Sequence, residues 1–313
     1  MNSSEKALAR IIFKNKVYTS NGQAYEDLFV DIMQRGNTDF IPVKPQGQIG
    51  DRKNDGYDRK RGHYYQVFAP EEPTLKSQDA VKKLAEDFAG LYEKWNEVTP
   101  VKEFYFVFND KYKGTFPTIE EDLANIKSAN ELDNCASFLA KHLEERLFLL
   151  PDDQIITVIG FIPSPENIQT IDFSVLTEII GHILKQECTF ETTRRLSAPD
   201  FDEKIKFNGL GLHTSTLLNY ASYQVGEIDK FFELNGDFTK QEIRDTINDF
   251  YKAALVRDFS GSSDENKNDL VFFEVLRAIA PNKTQSVINA ALVIMAYFFE
   301  SCDLFEDPNR ELV

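Results

Sequence analysis

The sequence has few cysteines, no long apolar run and no excess of basic residues. Its three cysteines, Cys135, Cys188 and Cys302, stand far apart and form no CxxC pair, which argues against a zinc knuckle and favours a reducing compartment. The longest apolar run, Ala290 to Phe299, is too short to span a bilayer. We therefore expect a cytoplasmic protein without a membrane segment.

Basic residues are outnumbered, 35 against 51 acidic ones, and the formal net charge is −16. Such a charge disfavours non-specific coating of nucleic acid but leaves room for a local basic site. The densest basic cluster contains Arg52, Lys53, Arg59, Lys60 and Arg61. We expect its arginines and Lys60 to bind nucleic-acid phosphates. The alternative is a solvated turn that keeps a sheet edge from pairing.

Length and composition indicate a globular protein of two domains. The chain has 313 residues, of which 42% are hydrophobic and 27% are charged, close to ordinary globular usage. Single cores usually stop growing at roughly 250–300 residues. We place the domains at residues 1–195 and 196–313.

The first domain alternates between helical and strand patterns. The predicted order is a helix at 22–35, strands at 40–43, 54–58 and 63–69, a helix at 79–96, a strand at 103–109, a helix at 133–149 and a strand at 154–161. Helices between strands are typical of a mixed α/β sheet with helices on both faces. That is the fold class we predict for this part.

The second domain is predicted to be all-α. Helical patterns occur near residues 211–234, 239–257, 268–280 and 284–301. The pattern at 284–301 has a wider apolar face than one intramolecular contact usually needs. It is either an interface with a partner or a second copy, or the central helix of its own bundle.

Three oxygen donors in the first domain have the spacing of a metal site. Asp55 begins one predicted strand, Gln66 lies on the next, and Glu26 lies on the preceding helix. Neighbouring short strands bring such side chains together if they share a face. Hard oxygen ligands are those that Mg²⁺ prefers, and a divalent cation is what phosphodiester hydrolysis at neutral pH needs.

Here the sequence resembles the PD-(D/E)xK nucleases, in particular the Mrr-like, restriction-endonuclease-like branch. That family carries G-D-x-x-x-D, followed by a strand with Q-x-K or E-x-K, and Gly50, Asp51, Asp55 and Gln66 match it. The resemblance implies a DNA endonuclease in which Glu26, Asp55 and Gln66 hold Mg²⁺ or Mn²⁺. Asp51 would be an auxiliary acid.

One position departs from the family. Two residues after Gln66, where the family has a catalytic lysine, this chain has Phe68. The replacement candidates are Lys53, Lys76, Lys82 and Lys83, of which Lys53 and Lys82 are favoured. The alternative is a nuclease fold that no longer turns over and acts as a nucleic-acid-binding or structural adaptor.

A second resemblance concerns the end of the chain. Lys204–Leu210 and Tyr297–Glu306 look like the C-terminal helical domain of effectors of bacterial ABC-three-component defence systems, and Tyr65–Glu71 is similar to a nuclease-like module paired with such domains. The resemblance implies an SMC-like ABC ATPase and a small middle component as partners, as in Lamassu-type antiphage defence. We also expect a homo-oligomer.

Overall fold

The computed structural model of the chain describes residues 1–47, 50–73, 77–160, 162–163, 171–186, 201–236, 240–259, 267–301 and 304–306. The chain divides into two compact units. We call residues 16–158 the α/β unit, and residues 1–15 with 159–313 the helical unit. The domain boundary predicted at residues 195 and 196 lies outside the described residues and stays a prediction. In the described part of the chain, no helix is long and apolar enough to cross a membrane.

The α/β unit is built around one five-stranded sheet. In chain order, the elements up to its end are α1 (Ser3–Thr19), α2 (Gln23–Gly36), β1 (Phe40–Pro42), β2 (Gly56–Asp58), β3 (His63–Phe68), α3 (Ser77–Trp95), β4 (Glu103–Phe108), α4 (Pro117–Ala129), β5 (Asn134–Leu139), α5 (Ala140–Phe148) and α6 (Asp152–Ile159). The strands lie in sequence order in the sheet. β1, β2 and β3 form an antiparallel meander, whereas β4 and β5 continue the sheet in parallel. The predicted mixed sheet is therefore confirmed.

Each face of the sheet is covered by helices. On one face, Phe104 and Phe106 pack in a core with Leu84 and Phe88 of α3, and α4 joins the same core. On the other face, the ring of Phe29 from α2 contacts aromatic rings of β3 and β5. α2 forms where it was predicted because its apolar residues recur at helical spacing and become its buried face.

Of two predicted elements at the end of this unit, one is wrong in its first part and the other is wrong throughout. The helix predicted at residues 133–149 is confirmed at Ala140–Phe148 (α5), but Asn134–Leu139 is strand β5, paired parallel with β4. Residues 154–161 were expected to be a strand, but Asp152–Ile159 is helix α6. Pro151 and two aspartates in the first turn are ordinary helix-start residues. The Ile-Ile-Thr-Val-Ile run therefore continues a helix despite its β-branched side chains.

The helical unit is all-α in its described residues, as predicted. Its further helices are α7 (Phe173–Ile183), α8 (Phe201–Phe207), α9 (Leu212–Ser222), α10 (Val225–Leu234), α11 (Lys240–Leu255), α12 (Lys267–Ile279) and α13 (Gln285–Ser301). The helix predicted at 211–234 is thus divided into α9 and α10. α13 contacts α7, α9, α10 and α12, and its apolar side chains from Ala290 to Met295 are buried. The interpretation of α13 as the central helix of its own bundle is confirmed.

Candidate active site

Asp55 and Gln66 lie opposite each other, just beyond the last register pair of β2 and β3. That pair is Gly56 with Tyr65, so the next positions along the antiparallel strands face each other. The Asp55 N–H donates to the Tyr65 carbonyl at 3.0 Å, and the Val67 N–H donates to Asp55 Oδ2 at 2.6 Å. The side chain of Asp55 is thereby fixed against β3. The structure brings together the two residues that the sequence places on neighbouring strands.

Helix α2 brings a second acid to this place. The Gly22 N–H donates to the Ala69 carbonyl at 2.7 Å, which ties the start of α2 to the chain just after β3. Glu26, one turn into the helix, has a side chain that is 18% exposed and pairs with Lys44 at 3.5 Å. Its charge acts on Asp55. We call Glu26, Asp51, Asp55 and Gln66 the acidic edge.

The loop before Asp55 is shaped by turn chemistry. Gly50, Arg52 and Lys53 all have positive φ, at 68°, 57° and 63°. The side chain of Asp51 accepts from the Lys53 N–H at 2.8 Å, and that of Asn54 accepts from the Gly56 N–H at 3.1 Å. Asp and Asn stabilise tight turns by such local bonds. The Gly-Asp motif therefore acts as a turn, and that turn positions Asp55.

The carboxyl of Asp55 is in an environment that resists ionisation. Burial raises its pKa from 3.8 to about 7, the Val67 N–H opposes the rise, and the charges of Glu26 and Asp51 add to it. Lys83 acts in the opposite direction. A carboxylate beside two further acids is stabilised by a cation, because the cation offsets both the burial and the repulsion.

The side chain of Gln66 is a second indication of a ligand site, besides the raised pKa of Asp55. Its side chain is 4% exposed, and its Oε1 has no hydrogen-bond partner among the described atoms. A buried acceptor without a partner costs about 1–3 kcal/mol. In the described residues no group of three His, Cys, Asp or Glu side chains forms a metal site. The candidate set has two carboxylates and an amide, so it relies on this Gln66 oxygen, and the donor set fits Mg²⁺ or Mn²⁺.

Two lysines meet at Asp87, whose side chain is 1% exposed. Lys53 Nζ lies 2.9 Å from Asp87 Oδ1, and Lys83 Nζ lies 2.6 Å from Asp87 Oδ2. The stem of Lys53 lies over Gly90, where an added Cβ would be 3.1 Å from Lys53 Cγ. Lys83 is the one of the two whose charge lowers the pKa of Asp55. Lys83 therefore combines a fixed position with an electrostatic effect on the acidic edge.

The other lysine candidates have different positions. Lys82, which we favoured from sequence, is 76% exposed and pairs with Glu86 on the same helix at 3.8 Å. Lys76 lies outside the described residues. Phe68 stacks on the rings of Phe106 and Phe108 in the sheet core, with centroids 6.0 Å apart in each pair. The position that carries lysine in the nucleases is thus part of an aromatic stack.

The basic cluster is divided between the two ends of the β2–β3 pair. Arg52 lies in the loop next to Asp55. Arg59, Lys60 and Arg61 lie in the turn that joins β2 to β3, at the other end of the strands. Three residues of strand separate that turn from Asp55, about 10 Å. We expected this turn beside the metal, and its place at the far end corrects that geometry. Nucleic-acid binding by these four residues stays a prediction.

Sequence reasoning missed Asp87 and named Lys83 without favouring it. The available signal was the i,i+4 spacing of Lys83 and Asp87 on a predicted helix, which puts both on one face. That signal is weak, because most such pairs lie in solvent. The burial of Asp87 is what distinguishes this pair, and burial comes from the packing of α3 on the sheet.

Comparison with known proteins concerns the helical unit. Residues 174–306 match the family model of C-terminal domain 10 of the ABC-three component (ABC-3C) systems. No curated protein and no solved structure matches the chain. The match supports the resemblance seen at Lys204–Leu210 and Tyr297–Glu306. Residues 174–306 are therefore similar to the C-terminal domain of an ABC-three-component system.

Proposed function

We propose that the chain is the effector subunit of an antiphage defence complex, with a metal-dependent DNA endonuclease of the PD-(D/E)xK type in its α/β unit. The order α2, β1, β2, β3, α3 and β4 supports this, with an antiparallel meander followed by a parallel strand. It is the element order that a restriction-endonuclease-like core requires. The substrate class is duplex DNA, cut at phosphodiester bonds.

One observation carries the proposal, which is the pairing of Asp55 with Gln66 at the acidic edge. The carboxyl of Asp55 has a pKa raised to about 7, and Gln66 has a buried oxygen without a hydrogen-bond partner among the described atoms. Two oxygen donors that are both costly to bury stand on neighbouring strands beside Glu26. A divalent cation would satisfy all three.

Each residue then has a defined role. Glu26, Asp55 and Gln66 would hold Mg²⁺ or Mn²⁺, which supplies polarisation of the phosphate and a lowered pKa of water. Lys83 places its charge beside Asp55, where negative charge develops on the phosphate during attack. Asp87 positions Lys83 and Lys53. Asp51 fixes the loop and adds to the negative field that attracts the cation.

The partners follow from the C-terminal match. An SMC-like ABC ATPase and a small middle component are the proposed partners of residues 174–306, by resemblance to ABC-three-component systems. The cytoplasm and a homo-oligomer remain predictions. Because α13 is covered within its own unit, a homo-oligomer requires some other surface.

The test is cleavage of plasmid DNA by the purified full chain with Mg²⁺ or Mn²⁺, alone and with its ATPase and middle components. Asp55→Ala and Gln66→Ala should reduce cutting at least a hundredfold. For the helix acid, Glu26→Gln is compared with Asp27→Asn, since Asp27 is 61% exposed and shares Lys44 as partner. Intact plasmid under all conditions, or full activity of Asp55→Ala, would refute the nuclease.

Phe68 favours a second candidate, a nuclease fold that binds nucleic acid or partners as an adaptor without cutting. Its ring belongs to the aromatic stack, so no lysine stands at the family position. Calorimetric titration with Mn²⁺ separates the two cases. Binding that depends on Asp55, together with cleavage, supports the enzyme. Absence of both supports the adaptor.

A further inference from the structure

The α/β unit contains a cavity of about 430 Å³ at the end of the sheet where β2 turns into β3, away from the acidic edge. It is lined from α2, from that turn, from β3 and β4, and from α5 with the residues that follow it. All of these residues belong to one compact unit. Small-molecule sites usually occupy roughly 300–1,000 Å³, so the volume suits a compact ligand.

The charge of this cavity is opposite to that of the protein. Its described lining includes Arg35, Arg61, Arg146 and His63, and no Asp or Glu. The whole chain has 51 acidic and 35 basic residues. Carboxylates outside the lining, Asp31 and Asp58, pair with two of these arginines, so the charge that faces the cavity itself is basic. We call this the arginine cavity.

Two of the three guanidinium groups have their inner nitrogen closest to a carboxylate. Arg35 Nε binds Asp31 at 2.8 Å, and Arg61 Nε lies 3.7 Å from Asp58 Oδ2. Contacts at Nε orient a guanidinium and leave its two terminal nitrogens for a ligand. Arg146 is exposed, and its charge acts on the hydroxyls of two tyrosines of the cavity.

Neighbouring groups complete the wall. Glu103 lies outside the lining, and its Oε2 is engaged by His63 Nε2 at 3.2 Å and by the Tyr105 hydroxyl at 2.6 Å. The Glu103 carboxylate is therefore already engaged by His63 and Tyr105, and it positions both side chains. Apolar residues line the cavity as well, among them Leu149, which is 77% exposed. A ligand with an anionic group and an apolar or aromatic body matches this lining.

A structural explanation covers only part of this arrangement. Arg35 and Arg146 lie in the last turns of α2 and α5, where a cation offsets the helix dipole by about 0.3–1 kcal/mol. Arg61 lies in a strand turn and has no such role. Convergence of three arginines without a lining carboxylate is not required by helix stability.

The geometry points to a binding site for a phosphomonoester of nucleotide size in the arginine cavity. Arginine is the cation that binds phosphate oxygens in pairs through its planar fork. A phosphomonoester carries close to two negative charges, whereas a carboxylate carries one. Three guanidinium groups therefore match the charge of a phosphomonoester better than that of a carboxylate. The phosphate has two sources, a free mononucleotide or the 5′ end of a nucleic-acid strand. The site is separate from the acidic edge and does not depend on its activity.

The test is isothermal titration of the full chain with a 5′-mononucleotide and with the same nucleoside lacking phosphate. Arg146→Glu should weaken mononucleotide binding at least tenfold. Lys127→Glu is the matched control, because Lys127 is an exposed cation in the last turn of α4, as Arg146 is in that of α5, and does not line the cavity. The control should change the affinity less than twofold, and the nucleoside should bind far more weakly.

A second variant separates binding from stability. Arg146→Ala should weaken binding at least fivefold and lower the unfolding temperature only slightly, through the lost dipole contribution, whereas a dipole role alone would lower the unfolding temperature and leave the affinity intact. Oligonucleotides with and without a 5′ phosphate then identify the source. Preference for the phosphorylated strand indicates a strand end, and binding of the mononucleotide alone indicates a free ligand. No binding of either at millimolar concentration, or equal losses in Arg146→Glu and Lys127→Glu, would overturn the proposal.

Discussion

Two pairs of buried polar residues, one pair in each unit, have different surroundings. In the helical unit, Lys204 is fully buried and its Nζ donates to the Phe299 carbonyl at 2.8 Å, while Asp269 accepts from the Gly211 N–H at 2.9 Å. These bonds join distant segments of chain. At the acidic edge, Gln66 Oε1 has no partner among the described atoms, and Asp55 faces further acids. Lys204 and Asp269 thus have hydrogen bonds that connect segments of the helical unit, whereas Gln66 Oε1 lacks one among the described atoms and Asp55 lies beside like charges, a combination that is common at ligand sites.

The largest effect should come from the apolar core of the helical unit. Leu292 on α13 is fully buried, so Leu292→Ala should lower the free energy of unfolding by about 3–5 kcal/mol through lost burial and a cavity. Leu212 is 78% exposed, and Leu212→Ala should change it by less than about 0.5 kcal/mol. Urea denaturation followed by circular dichroism measures both.

The Leu292→Ala and Leu212→Ala variants also test whether metal binding at the acidic edge is independent of the helical unit. Mn²⁺ affinity at the acidic edge should be unchanged in Leu292→Ala under conditions where the protein is folded. If the Mn²⁺ affinity of Leu292→Ala fell together with its stability, the acidic edge would depend on the core of the helical unit. That result would contradict the independence of the two units.

The second effect concerns the pH dependence of stability without metal. The pKa of Asp55 is about 7 in the folded protein against an ordinary 3.8, so the folded state keeps a proton that the unfolded state loses. This contribution is fully present below about pH 4 and is lost as pH rises through 7. Asp55→Asn should match the wild type near pH 4 and exceed its stability at pH 8, by up to roughly 4 kcal/mol.

Urea denaturation in EDTA at the two pH values measures this difference. Asp27→Asn, on an exposed residue of α2, serves as the control and should show no such trend. Adding Mn²⁺ at pH 8 should stabilise the wild type and leave Asp55→Asn unchanged. Equal stability of wild type and Asp55→Asn at pH 8 would mean that Asp55 carries no burial cost.

The third effect discriminates between the lysines of α3. Lys83 acts on Asp55 and is held by Asp87, whereas Lys82 is exposed. Lys83→Ala should reduce plasmid cleavage about a hundredfold, equivalent to roughly 2.7 kcal/mol of barrier. Lys82→Ala should reduce it less than twofold. Mn²⁺ affinity of both variants, measured by calorimetry, should stay within a factor of three. If Lys82→Ala lost more activity than Lys83→Ala, then Lys82 would be the lysine that supports cleavage.

The sequence was sufficient to predict Asp55 opposite Gln66, because that geometry is local. Two short strand patterns joined by a basic turn pair antiparallel, and this fixes Asp55 opposite Gln66. Which lysine of α3 lies near Asp55 was not predictable in this way. Lys82 and Lys83 differ by one residue, which is about 100° around a helix. Which of them faces Asp55 depends on how α3 lies on the sheet, a contact between distant parts of the chain.

The misassigned elements have a similar cause. The run from Ile155 to Ile159 is short, apolar and β-branched, which fits both a strand and a buried helix turn. Its burial at Ile155, Val158 and Ile159 has helical spacing. β5, with Cys, Ala and Ser in its sequence, has little strand propensity and is stabilised by pairing with β4. Pairing with β4 decided the assignment of β5, and burial of one helical face decided that of α6.

The smallest effect tests whether Lys53 contributes to activity. Gly90→Ala adds a methyl group 3.1 Å from Lys53 Cγ, and that side chain is 49% exposed, so it can move aside. Alanine in place of a helical glycine stabilises by up to about 1 kcal/mol, and the displacement of Lys53 offsets part of this. We expect a net gain of about 0.5 kcal/mol in urea denaturation and unchanged plasmid cleavage. If cleavage falls tenfold while Asp55-dependent Mn²⁺ binding persists, then Lys53 is the cation that the nuclease uses, and Lys83 only shares its hold on Asp87.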